Sequence, residues 1–181
     1  MTDLAGTSVI REGGDKTVNI GEVYLSTAKE TLQFWKDTGE RAIAQLDENE
    51  INFQPHLLSN SISIIVQHLH GNFVSRWTDF LTTDGEKPWR TRESEFEGGY
   101  DSKAALLQDW EEGWHVWFQA LDDLSEADLL KTVYIKGKSS LAIQTIERAI
   151  AHCASHVGQI VYLGKQIKGD DWQCLSIPRQ R

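Results

Sequence analysis

Two histidines four residues apart, His152 and His156, lie in the run Leu141–Lys168, LAIQTIERAIAHCASHVGQIVYLGKQIK. Four residues on an α-helix leave two side chains about 40° apart around the axis and about 6 Å apart along it. Imidazoles placed so can share one metal ion. Catalytic divalent sites commonly take three protein ligands and leave one position for water or substrate. The third ligand must then come from His56, His68, His70 or His115. His68 and His70 are two residues apart, so about 200° separates them on a helix. His68 borders the apolar seam of its segment, with Asn72 and Arg76 continuing its line; His70 lies opposite, beside Gly71. The spacing selects His68. His56 follows Pro55 in a connector and reads as exposed, and His115 reads as a boundary residue.

Two better-known chemistries fit poorly. A zincin needs H-E-x-x-H, with a glutamate base after the first histidine; here that position is Cys153. A ferritin-like di-iron centre needs two E-x-x-H motifs and two further glutamates; Glu112-Gly113-Trp114-His115 supplies one motif. The bland alternative for the pair is two polar residues at the edge of a core.

These residues need helices to hold them. In the run around His152, Ile143, Ile146, Ile150, Cys153, Val157, Ile160, Gly164 and Ile167 alternate at spacings of three and four, the seam of a helix packed in a bundle. The first helix runs from about Ile20 to Leu46 on the seam Leu25, Ala28, Leu32, Trp35, Gly39, Ala42 and Leu46. A second line, Tyr24, Thr27, Thr31 and Phe34, predicts a wide buried face. Asp47-Glu48-Asn49-Glu50 ends this helix and caps a short turn. The second helix runs from about Ser61 to Leu81, and a third from Asp101 or Ser102 to about Asp123. Leu107, Trp110, Trp114, Trp117 and Leu121 mark the third helix's inner stripe. Its tryptophans are core, with cofactor stacking the rarer reading. Ser125–Asp128 resembles a capping box, Thr132–Ile135 a short extended piece, and the fourth helix begins near Ser139 or Ser140.

Four amphipathic helices without a repeated strand signal predict an all-α, antiparallel four-helix bundle. Between the second and third helices lies Thr82–Tyr100, a long charged loop, either a lid or a plain connection. Residues 1–17 read as a flexible arm with a short ordered piece at Ser8–Ile10, and residues 18–181 as a single domain.

The bulk numbers narrow the function. A net charge of −9 over 181 residues, with no basic run, argues against nucleic acid, where phosphates must be neutralised. No stretch reaches the roughly 18 apolar residues of a membrane span, and no signal-peptide h-region is present, so a cytoplasmic protein is expected. Two cysteines, Cys153 on the seam and Cys174 in the tail, suggest no disulfide framework.

Three stretches, SISIIVQHLHGNFVSRWTDFLTTDGEKPWR at 61–90, LSEADLLKTVYIKGKSS at 124–140 and AHCASHVGQIVYLGK at 151–165, resemble the DinB-like superfamily, also called the DinB/YfiT-like metal-dependent enzymes. More narrowly they resemble its DUF1572 branch. The resemblance implies one divalent metal, zinc or nickel, held by a histidine of the second helix and two of the fourth. Carried onto this chain, these are His68, His152 and His156. It also implies a homodimer, and a thiol-dependent S-transferase, isomerase or hydrolase acting on a small electrophilic molecule, with a low-molecular-weight thiol (bacillithiol, mycothiol or glutathione) as cosubstrate. Asn72, Arg76 and Gln159 follow the histidines by one or two turns and are candidates to orient the site or the substrate; for Arg76 a buried ion pair is an equal alternative. The rival to an enzyme is a non-catalytic binding protein in which histidines or metal only stabilise the bundle.

Overall fold

The chain is mostly helical. A computed structural model describes residues 9–11 and 17–177. In chain order these form β1 (Val9–Arg11), β2 (Thr17–Asn19), α1 (Ile20–Ala44), a one-turn α2 (Glu48–Ile51), α3 (Ile62–Trp77), α4 (Lys103–Asp122), β3 (Thr132–Ile135), β4 (Lys138–Leu141) and α5 (Ala142–Lys168). Short 3₁₀ turns occur at Arg92–Phe96, Glu126–Asp128 and Gly169–Asp171. The strands make two antiparallel pairs, β1 with β2 and β3 with β4. Most of the expected arm, residues 1–8 and 12–16, lies outside the described residues.

Local chemistry sets most helix starts. The side-chain oxygens of Asn19, Asp47, Ser61 and Ser102 accept the first free amides of α1, α2, α3 and α4. The α5 start is capped by backbone instead: Ala142 N donates to Lys131 O and Ile143 N to Leu129 O, each at 2.9 Å. The turn before α5 therefore fixes where the histidine helix begins.

α3 packs on α4, α4 on α1, α1 on α5, and α5 back on α3, so the four long helices enclose one core. α3 is the most enclosed: eleven of its sixteen residues are buried, including polar Ser63, His68, Asn72 and Ser75. Tryptophans from α3 and α4 fill the centre. Trp117 stacks on Trp77 at 4.8 Å and 13° and meets Phe73 at 4.7 Å. The tryptophan stripe is core, as its spacing suggests.

Three expectations need correction. α1 buries a narrow face, because Thr27 and Phe34 of the second line are exposed. α3 ends at Trp77, four residues short of Leu81: Thr78 is extended and Asp79 adopts φ 50°, which a helix cannot continue through. α4 spans Lys103–Asp122, within a residue or two of its expected bounds. α5 starts at Ala142, because Lys138–Leu141 is a strand held by β3 across a Lys136-Gly137 turn with both φ positive, 52° and 71°.

One helix contact is tight enough to test. A Cβ on Gly39 of α1 would lie 2.5 Å from Trp110 Cη2 and 2.7 Å from Cζ2. Gly39→Ala gains about 1 kcal/mol of helix propensity but overpacks a buried indole, typically a loss of about 1–3 kcal/mol. The expected result is a net loss of about 1 kcal/mol in urea unfolding. A more stable variant would show that α1 and α4 have room to part.

Candidate metal centre

His68 sits mid-helix in α3, 5% exposed, on the side facing α5. His152 and His156 sit on successive turns of α5. The three rings meet. His152 Nε2 is 3.2 Å from His68 Nε2 and 3.1 Å from His156 Nε2. The ring planes stand at 66° to 79° to one another, so each turns a nitrogen edge toward a common point. The other histidines stay away from this point: His56 and His115 are exposed, and His70 turns toward Asp109 and Glu112 of α4 at 3.8 and 3.5 Å.

Neighbours settle which nitrogens carry protons. His68 Nδ1 donates to Glu95 Oε2 at 2.9 Å. His156 Nδ1 donates to Gln159 Oε1 at 3.0 Å. A neutral imidazole has one N–H, so both rings are left with a lone pair on Nε2, aimed at the shared point. His152 Nε2 faces both lone pairs. One N–H there could satisfy one of the two short contacts and would leave the other unmet. A single cation satisfies all three. Zinc–nitrogen bonds of about 2.05 Å at tetrahedral angles place ligand nitrogens about 3.3 Å apart, close to the spacing found. The residues present therefore fit a divalent ion.

The surroundings favour the neutral form of the two α5 rings. Burial, then the charges of His156, His68, Arg76 and Arg90, pushes the His152 imidazole down to about 4. Burial also lowers His156, reinforced by His68 and opposed by Gln159. Neutral imidazole is the form that ligates. Cys153 is fully buried in the core seam of α5, its thiol pushed up by burial, and takes no part. Among the described residues the ligand group at this point consists of the three histidines, with no fourth protein ligand.

Glu95 is the residue that sequence reasoning missed. It lies in the 3₁₀ turn of the long charged loop, 8% exposed. Arg90, its guanidinium also buried, grips it with two hydrogen bonds, Nε to Oε1 at 2.7 Å and Nη2 to Oε2 at 2.9 Å, and donates through Nη1 to Glu86 at 3.2 Å. Burial alone would raise the Glu95 carboxyl, but His68 and Arg90 together hold it below the usual range, so it is an anion. Phe96 covers the His68 ring at 5.0 Å. A glycine was the available signal. A Cβ at Gly71, inside α3, would collide with the Glu95 carboxylate, and an isolated helical glycine often marks such an approach.

The loop that brings Glu95 is pinned along its first half. Ser75 Oγ of α3 donates to Gly85 O at 3.0 Å and accepts from Lys87 N at 3.1 Å. Asp84 takes amides from Lys136 and Gly137 of the β3–β4 turn at 2.9 and 2.8 Å. The stretch is thus a structural strap across α3.

The remaining candidates divide. Gln159 is exposed and orients His156. Asn72 is 5% exposed, and its Oδ1 is buried without a partner. Arg76 is half-buried, and its Nε has no partner. The ion pair considered for Arg76 is not found among the described residues: Glu86, the carboxylate whose charge it feels, is engaged by Arg90 and Lys136.

The model of a family described as "Protein of unknown function (DUF1572)" matches residues 19–181. The chain belongs to the DUF1572 family. This DUF1572 chain is also similar in fold to a crystal structure of a conserved protein from Enterococcus faecalis. That likeness has a TM-score of 0.62 at 18% identity and covers 84% of this chain and 99% of the other. Comparison with curated proteins gives no match. Among the described residues of this DUF1572 member, no helix is long and apolar enough to cross a membrane.

Proposed function

We propose that this DUF1572 protein is a divalent-metal-dependent enzyme on a DinB-like antiparallel four-helix bundle, with His68, His152 and His156 as the ligands. The reading is carried by one observation: His152 Nε2 lies 3.2 Å from His68 Nε2 and 3.1 Å from His156 Nε2, and hydrogen bonds at Nδ1 fix the lone pairs of the latter two. A set of three leaves a coordination position for substrate, which supports catalysis over a purely structural role. The reaction class is thiol-dependent S-transfer, with hydrolysis as the related alternative, on a small electrophilic molecule in the cytoplasm, by a homodimer.

When bound, a zinc or nickel ion lowers the pKa of a coordinated water or thiol, so that a nucleophile exists near neutral pH. The chain's own groups do the positioning. Glu95 and Gln159 hold the His68 and His156 rings with Nε2 forward. Asn72, one turn after His68, carries a buried carbonyl oxygen with no partner among the described residues.

Metal content of the purified protein tests this. About one zinc or nickel per chain is expected in the wild type and less than about a tenth of that in His156→Ala, because two imidazoles hold a divalent ion far less tightly than three. Conjugation of a low-molecular-weight thiol to a chromogenic aryl halide should fall with the metal. Equal stoichiometry in the two proteins would remove the site.

A further inference from the structure

Arg76 lies two turns beyond His68 on α3, and Arg148 one turn before His152 on α5. Both therefore sit along the lines of the candidate ligands on two helices that pack together. A third guanidinium, Arg90, reaches the same place through Glu95. These arginines differ in what balances them. Arg90 is matched by Glu95 and Glu86. Arg148 donates to the Ser140 hydroxyl at 3.1 Å. Arg76 has a buried, unpartnered Nε and no carboxylate within ion-pair distance.

A half-buried guanidinium flanked by two others is an unfavourable arrangement when left alone. Burial weakens its hold on the proton, and the charges of Arg90 and Arg148 add to that. The imbalance is local, since Arg76, Arg90 and Arg148 outnumber Glu86 and Glu95 here while the whole chain carries −9. The stem of Arg76 passes beside the strap, where a Cβ on Gly85 would lie 3.6 Å from Arg76 Cγ.

We propose that the substrate or cosubstrate of this site carries a carboxylate, and that this group docks on the guanidinium of Arg76 beside the three imidazoles. The terminal edge of a guanidinium presents two parallel N–H donors, which match the two oxygens of a carboxylate. Arg148 contributes charge from the α5 side. The assignment rests on reading the histidine cluster as a metal-dependent active site, and it narrows the acceptable molecules to small anions.

Isothermal titration with succinate, repeated with inorganic phosphate at matched ionic strength, tests the assignment. Wild type, Arg76→Lys and Arg76→Gln are compared as purified and after EDTA treatment, with metal content and circular dichroism recorded for each. Saturable succinate binding is expected in wild type, in preference to phosphate. It should weaken about tenfold or more in Arg76→Gln, as for loss of a charged hydrogen-bonded pair, and by an intermediate factor in Arg76→Lys, which keeps charge but loses the fork. The helical signal and metal content should stay unchanged in both variants. Equal succinate affinity in wild type and Arg76→Gln, or no saturable binding by wild type, overturns the proposal. Phosphate bound more tightly than succinate overturns the carboxylate assignment. Metal-free protein that still binds succinate through Arg76 upholds it, even if metal analysis rejects the three-histidine centre.

Discussion

Glu95→Ala is expected to lower the affinity of the protein for zinc or nickel by about 10- to 100-fold, the usual effect of removing a carboxylate behind a metal-ligating histidine. Three consequences of the carboxylate disappear together. The His68 Nδ1 proton loses its acceptor, so the ring can adopt the tautomer that places a proton on Nε2, where the ion must bind. The negative charge behind the ring is gone. The Arg90 guanidinium, with only 4% of its side chain exposed, keeps Glu86 as its sole anionic partner. Breaking a buried pair from one side typically destabilises by about 3–5 kcal/mol, and the remaining Glu86 contact puts this case near the low end, about 3 kcal/mol. Glu95→Gln separates the effects, because its amide oxygen can still accept from His68 while the charge facing Arg90 is lost. Competition with a chromogenic chelator reads the affinity, and urea unfolding of the metal-free forms reads the stability. An unchanged metal affinity in Glu95→Ala, with the fold intact, would show that His68 is oriented by packing against Phe96 alone.

Trp117→Ala should cost about 3–5 kcal/mol, enough to unfold a marginal domain. Trp117 is fully buried on α4 and touches both aromatic residues that α3 sends into the core, Phe73 and Trp77. It also stacks on Trp114 one turn away, at 5.9 Å and 10°. Its indole N–H has no partner, so truncation removes apolar contact and leaves no hydrogen bond broken. A cavity of that size between α3 and α4 cannot collapse without moving α3, the helix that carries His68. The unfolding midpoint in urea measures the loss, and metal content of the folded fraction measures the displacement of α3. A cost below about 1 kcal/mol would mean the aromatic layer repacks freely.

The three histidines were legible because a helix converts spacing into direction. His152 and His156 needed only the period, and His68 needed the contrast with His70 two residues away. Helix starts were legible where a side chain caps them, as Ser61 and Ser102 do. The start of α5 was not, since its caps are carbonyls of Leu129 and Lys131, and the backbone leaves no mark in the residue types. Lys138-Ser139-Ser140 has little strand propensity of its own and is extended because β3 pairs with it. Glu95 was hidden for a related reason. Its loop has no period, its partner is 27 residues away, and only the fold brings the two together. Phe34 misled in the other direction: an apolar residue at the right spacing was read as buried, yet it is 61% exposed.

If an ion binds at the three histidines as proposed, the strap across α3 ties the loop's own order to it. Whatever binds at the histidines favours conformers in which Glu95 is seated, and so must favour the closed strap by the same free energy. A protease attacking residues 82–100 and a chelator removing such an ion would therefore act on one equilibrium from opposite ends. Cells short of metal would hold a population of this protein whose charged segment opens more often, and the segment's lifetime would report metal supply.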